Sequence, residues 1–103
     1  INDYEGARQI WEFLTAASPE QPGPFANLAN LYAFELKDPA RAKENFAKAI
    51  EKWPKDVSVY RNAYDFYRYV IKDNDKARQI LKDGISQTQS PDLQYLVDHY
   101  DEL

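Results

Sequence analysis

The chain repeats itself with a period of 35 residues, and that regularity restricts its fold more than any other feature. Asp3, Asp38 and Asp73 share one phase, Ala7, Ala42 and Ala77 a second, Trp11, Phe46 and Leu81 a third, and Phe25, Tyr60 and Tyr95 a fourth. Pro19 returns as Pro54, and Tyr32 returns as Tyr67. Small and large apolar residues in fixed alternation over such a period mark stacked supersecondary units, each too small to cover its own apolar face. Units of this kind build a surface rather than a catalytic pocket.

Six amphipathic helical stretches fill the repeats. The first runs from Asp3 to Ala16, with Ala7, Ile10, Trp11 and Leu14 on one face of a 3.6-residue helix. Ser18-Pro19 and the Gln21-Pro22-Gly23-Pro24 cluster read as its break. The second, Pro24 to Lys37, carries Phe25, Leu28, Ala29, Tyr32 and Leu36. Asp38-Pro39 supplies the N-cap and first residue of the third, where a missing proline N–H costs nothing. That helix presents Ala42, Phe46, Ala49, Ile50 and Trp53 and stops at Pro54. The fourth, Asp56 to Lys72, holds Tyr60, Ala63, Tyr64 and Tyr67. The fifth starts near Asp73 and carries Ala77, Ile80, Leu81 and Ile85, and Ser90-Pro91 opens a sixth with Leu93, Leu96, Val97 and Tyr100. No strand-like alternation competes, so an all-α fold is expected.

Composition narrows the function classes. A chain of 103 residues fits one compact domain or a short run of repeats sharing a core. Its net charge of −4 opposes a nucleic-acid backbone, which argues against DNA or RNA as the main partner. With no Cys, disulfides and thiolate-held zinc or iron–sulfur centres are excluded. No apolar run reaches the roughly 18 residues of a membrane span, and no signal peptide is visible. The chain lacks Met and opens on Ile1, and so reads as a piece of something longer.

The repeat resembles the tetratricopeptide family. Its unit is an antiparallel helix pair with a large residue, Leu, a small residue and Tyr on the first helix, then Ala, an aromatic, a small residue and a terminating Pro on the second. The middle unit reads Phe25-x2-Leu28-Ala29-x2-Tyr32, then Ala42-x3-Phe46-x2-Ala49-x4-Pro54. The next reads Tyr60-x2-Ala63-Tyr64-x2-Tyr67, then Ala77-x3-Leu81-x2-Gly84. Residues 1–19 resemble the second helix of a unit whose first helix is missing, 22–54 and 56–89 are the full repeats, and 90–103 is a half repeat or capping helix. In this last helix Tyr95 keeps the 35-residue phase, whereas Leu93, Leu96, Val97 and Tyr100 fit the family spacing two residues earlier. The resemblance implies a right-handed α-solenoid of about six antiparallel helices.

Departures from the family are specific. The unit has 35 residues rather than 34, the extra one falling near Leu36–Asp38 and Lys72–Asp73. Tyr64 stands where the family prefers a small residue, and Leu14 does likewise. These oversized residues, with Ala77-Arg78-x-Ile80, give a weaker similarity to the half-a-tetratricopeptide repeats of RNA-processing scaffolds.

Little here carries catalytic chemistry. His99 is the single His, so neither a metal site nor a Ser-His-Asp triad can be assembled around it. Gly6, Gly23 and Gly84 are isolated and form no phosphate-cradling loop. Arg8 with Glu12 and Glu44 with Lys48 read as solvated helical pairs of a few tenths of a kcal/mol each. Trp11 and Trp53 fall on packing faces, which places them in the core. The chain reads as non-catalytic, with no cofactor and no metal.

In tetratricopeptide arrays the first helix of each unit lines a concave groove that holds peptides. By that resemblance Asn27, Asn30 and Asn62 would bond a peptide backbone, and Arg61 and Arg68, beside Asp65, would take an acidic side chain or a C-terminal carboxylate. Phe34 and Tyr69 would take an apolar side chain. The alternative is that Arg61–Asp65 is an intrahelical ion pair and the Asn side chains merely face water. The Lys members of the chaperone-binding carboxylate clamp are missing from the second helix, so chaperone binding is not implied. The expected role is therefore a scaffold for a protein or peptide partner. The alternatives are an RNA-processing scaffold, or a tethering or oligomerisation domain of a longer enzyme or envelope protein. The resemblance also allows a membrane anchor or export signal upstream.

Overall fold

The computed structural model describes residues 4–17 and 22–102, and every regular element among them is a helix. These are α1 (Tyr4–Ala17), α2 (Pro22–Asn30), α3 (Pro39–Lys52), α4 (Val57–Asp65), α5 (Asn74–Thr88) and α6 (Pro91–Asp98). The protein is all-α. Asp3, Ser18-Pro19 and Gln21 lie outside the described residues. α1 ends at Ala17, before the expected break, and α2 begins at Pro22, two residues ahead of the expected start at Pro24. The first turn of a helix leaves its N–H groups without intrahelical partners, so prolines there forfeit nothing.

Two of the helices end in the same unusual way. α2 passes into a π-helical turn over Leu31–Glu35, closed by the Leu36 N–H donating to the Leu31 carbonyl at 2.9 Å. α4 passes into another over Phe66–Ile71, where the Lys72 N–H reaches the Tyr67 carbonyl. Each turn is followed by a lysine in the left-handed region, Lys37 at φ 53° and Lys72 at φ 61°. The next residue then donates six positions back, Asp38 to Tyr32 at 2.8 Å and Asp73 to Tyr67 at 2.9 Å. A π-turn holds one residue more than the α-turn it replaces. The 35th residue of the period, expected in the link at Leu36–Asp38 and Lys72–Asp73, is therefore taken up inside the last turn of the preceding helix.

Caps fix where the following helices start. The Asp38 carboxylate accepts from the Arg41 N–H at 3.2 Å and that of Asp73 from Lys76 at 3.0 Å, so the N-cap recurs one period on. Asp56 accepts from the Ser58 N–H at 3.0 Å at the head of α4, and the Ser90 hydroxyl from Asp92 at 3.2 Å at the head of α6.

The chain divides into two compact units, Ile1–Lys52 and Trp53–Leu103. In the first, α2 packs against both α1 and α3. Ala29 and Ala42 are fully buried, and Tyr32 and Phe46 lie at 2% exposure. Small residues let the helix backbones approach, and the aromatic rings fill the space between them. Burying a ring the size of Phe46 contributes roughly 1.5–3 kcal/mol. α1 has no fully buried side chain. Trp11, expected in the core, is only partly buried, and Ile10, expected on the packing face, is 60% exposed beside Phe13 at 69%. Within this unit α1 packs chiefly on α2, and one neighbour covers only a narrow stripe of a helix.

In the second unit α5 packs against both α4 and α6. Gly84 is the reason they fit: a Cβ there would stand 2.7 Å from Leu93 Cδ1 and 2.8 Å from Tyr60 Cγ. Trp53, also expected in the core, is partly buried next to the link into α4. The oversized Tyr64 is accommodated at 1% exposure, edge-on to the Tyr100 ring with centroids 6.2 Å apart. In α6 Leu93 and Leu96 are buried, as is Tyr100 in the 3-10 turn Tyr100–Glu102 that follows, whereas Tyr95 is 56% exposed. The helix therefore follows the register two residues earlier, and Tyr95 leaves the phase it shares in sequence with Phe25 and Tyr60.

Candidate functional site

The second unit holds a cavity of about 320 Å³ lined by Arg61, Tyr64, Tyr69, Asp92, Tyr95 and Leu96. α4 supplies Arg61 and Tyr64, its π-turn supplies Tyr69, and α6 supplies the rest. Tyr64 is the most buried of these residues, at 1% exposure, its ring edge-on to Tyr69 with centroids 6.4 Å apart. Tyr69 and Tyr95 are more than half exposed. Beyond Tyr95 the His99 ring lies against it at 4.3 Å, with Nδ1 2.7 Å from a Glu102 carboxylate oxygen.

Of the residues expected to bind a partner, only Arg61 and Tyr69 line this cavity. Arg61 Nε sits 3.5 Å from the Asp65 carboxylate, and the guanidinium lies 6.0 Å from the Tyr64 ring centroid. Burial lifts the Asp65 carboxyl above its ordinary value even though Arg61 pulls the other way, so the pair is a loose one. Asn62 lies partly buried outside the cavity wall.

Arg68 has another task. Its guanidinium donates to the Tyr64 hydroxyl and to the Tyr100 carbonyl, both at 2.9 Å, and stacks 3.9 Å from the Tyr100 ring centroid. Arg78 lies 4.2 Å from the same ring. These contacts join Arg68 to Tyr64 of α4 and to Tyr100 just beyond α6, so the guanidinium is engaged within its own unit.

In the first unit Asn27 and Phe34 are exposed and Asn30 is partly buried, and none of them lines a described cavity. Phe34 and Tyr69 nevertheless stand one period apart, and both are exposed, at 42% and 54%. The same position thus presents an aromatic ring to solvent in each unit.

A cavity of about 570 Å³ is lined by residues of α1 and α3, with Phe25 and Leu28 of α2 and Tyr32 of the π-turn that follows it. Its charges are largely satisfied within the unit. Arg8 donates to Glu12 at 2.7 Å and also pairs with Glu5, while the Tyr32 hydroxyl donates to Glu12 from another helix. Arg41 donates weakly back to Tyr32 at 3.4 Å. The Tyr32 hydroxyl, with Arg8, holds the Glu12 carboxyl below its ordinary value of 4.5. Arg8–Glu12 is the intrahelical pair read from sequence, partly buried, and the Tyr32 hydroxyl on Glu12 is what ties α1 to the π-turn after α2. Glu44–Lys48 at 3.0 Å is the exposed pair expected.

The sequence reading missed Asp92 and Tyr95. The 35-residue phase grouped Tyr95 with two packing residues, and the signal that could have freed it was the alternative spacing of Leu93, Leu96 and Tyr100. Among the described residues no group of three or more His, Asp or Glu is placed to hold a metal. No described helix is long and apolar enough to cross a membrane. No protein-family model matches the chain, and no curated protein matches it either.

Proposed function

We propose that this chain is a non-catalytic interaction scaffold whose hairpins stack as a tetratricopeptide-like right-handed solenoid and hold a peptide or protein partner along their first helices. The observation that carries this reading is the exposed aromatic at one repeat position, Phe34 and Tyr69, the second of which borders the cavity with Tyr95. Exposed tyrosine beside arginine is the composition of interface anchors, because these side chains contribute large contact area and directional hydrogen bonds together. The 35-residue sequence period, with its repeated caps and π-turns, supports the stacking. An acidic guest would rest on Arg61 without Arg68.

The test is selection from a displayed library of random linear peptides against the chain and against a Tyr69→Ala/Tyr95→Ala variant. Enrichment by the first and its loss in the second, with unchanged helical circular dichroism, supports the scaffold reading. Equal enrichment by both, or none by either, contradicts it.

A second reading, as an oligomerisation or tethering domain, is favoured by Ile10 and Phe13, which leave an apolar face on α1 uncovered in its own unit. Light scattering of the chain beside an Ile10→Gln/Phe13→Gln variant separates the two. A concentration-dependent mass that the variant lacks favours association through α1, and a monomer in both rejects it.

A further inference from the structure

We infer that α6 is a movable wall of the second unit's cavity and that Tyr100 is the latch that holds it shut; the use of that movement rests on the peptide-binding reading above. Three of the six residues lining the cavity, Asp92, Tyr95 and Leu96, come from α6. This helix is eight residues long and packs chiefly on α5, where Leu93 lies against Gly84. Its polar residues Gln94 and Asp98 bond each other at 2.9 Å, within the helix. A short helix with one principal neighbour opens locally at less cost than the core it leans on.

Polar contacts to the rest of the unit gather just beyond α6. The Tyr100 hydroxyl donates to Asn74 Oδ1 at 2.6 Å, and the Tyr100 carbonyl accepts from Arg68 at 2.9 Å. The guanidinium groups of Arg68 and Arg78 lie 3.9 Å and 4.2 Å from the ring centroid, and Arg78 also pairs with Asp101 at 3.0 Å. Arg68 belongs to the π-turn after α4, and Asn74 and Arg78 to α5, so one tyrosine ties the end of α6 to two elements. Each such contact is worth about threefold to tenfold in an equilibrium constant, enough together to keep α6 closed and too little singly. The latch also reaches the cavity, because the Arg68 guanidinium donates to the hydroxyl of Tyr64, a lining residue. A guest touching both Tyr64 and Tyr95 would join the fixed side of the cavity to the movable one, and would be held only while Tyr100 is seated.

Amide hydrogen exchange of the whole chain, read residue by residue by NMR, is the test. Amides from Gln94 to His99 are expected to exchange about tenfold faster than those of Ala63 and Tyr64 in α4. Tyr100→Phe removes only the bond to Asn74, and should speed α6 about fivefold while changing α4 by less than about twofold. Arg78→Gln should speed α6 about threefold. A peptide selected from the displayed library, added at about 100 times its Kd, should slow α6 about a hundredfold, because the open form lacks half of the cavity lining. A purely structural Tyr100 would instead move α4 and α6 in step. Equal exchange of α4 and α6 that rises together in Tyr100→Phe, or no rise in α6 at all, would overturn the latch. A selected peptide that binds and leaves α6 exchange unchanged would overturn the movable wall and leave the scaffold standing. Absence of any selected peptide would remove the scaffold reading and its coupling to α6, with the latch still decided by Tyr100→Phe.

Discussion

Single residues set the spacing of the helices and the order of their ends. Gly84 matters through what it lacks, since a methyl there would fall within 3 Å of both Tyr60 and Leu93. Gly84→Ala gains about 1 kcal/mol of helix propensity but forces two packed side chains aside, at about 1–3 kcal/mol. A net loss of stability by urea denaturation is expected, whereas a gain would mean that α5 does not need this close approach. Tyr32 joins the π-turn after α2 to α1 through Glu12 and accepts from Arg41. Tyr32→Phe should cost about 1–2 kcal/mol at neutral pH, toward the low end of the roughly 1.5–3 kcal/mol of a hydrogen bond to a charged group because Glu12 is partly exposed. Glu12 is depressed in the folded state, so its contribution is complete above its ordinary value of 4.5 and fades as pH falls through the lower folded value. The substitution should therefore flatten the acid side of the stability–pH curve, and a parallel curve would show that Tyr32 does not govern Glu12.

At the scale of the element, the π-turns are the feature that the sequence could locate only approximately. A repeat one residue too long was visible in the spacing of Asp38 from Asp73. Which turn absorbs the surplus depends on backbone hydrogen bonds that side-chain periodicity does not record. Deleting Glu35 or Val70, both exposed and one period apart in the two π-turns, should let each helix end in ordinary α geometry with a loss of less than about 2 kcal/mol. Deleting Lys43 from the interior of α3 should unfold its hairpin, because the rest of the helix turns by about 100° and carries Phe46 and Ala49 off the core. Circular dichroism with urea titration checks both, and equal tolerance of the two deletions would contradict the π-turn assignment. The helices themselves were legible because their apolar residues recur at 3.6-residue spacing and their caps are Asp and Ser. Tyr95 was not, since a two-residue change of register reverses which face of α6 it occupies.

At the scale of the whole molecule, the solenoid we propose predicts nearest-neighbour coupling, so that the two units should unfold together. Trp11 and Trp53 fall one in each unit and serve as separate reporters. Fluorescence of Trp53→Phe reads the first unit and of Trp11→Phe the second. Coincident urea midpoints are expected once each variant's own stability is allowed for, and two resolved transitions would count against stacking. The candidate site was half legible at this scale. Arg61 and Tyr69 were found from the family's first-helix positions, but Asp92 and Tyr95 belong to a helix whose register breaks the repeat, and Arg68 was drawn into packing by Tyr100. The most direct measurement is a two-dimensional NMR titration of the labelled chain with one selected, C-terminally amidated peptide. Saturable shifts centred on Arg61, Tyr69, Asp92 and Tyr95 are expected. Shifts centred instead on Lys48 of α3 and Lys82 of α5, or no saturable shifts at all, would contradict a partner-binding surface on the first helices.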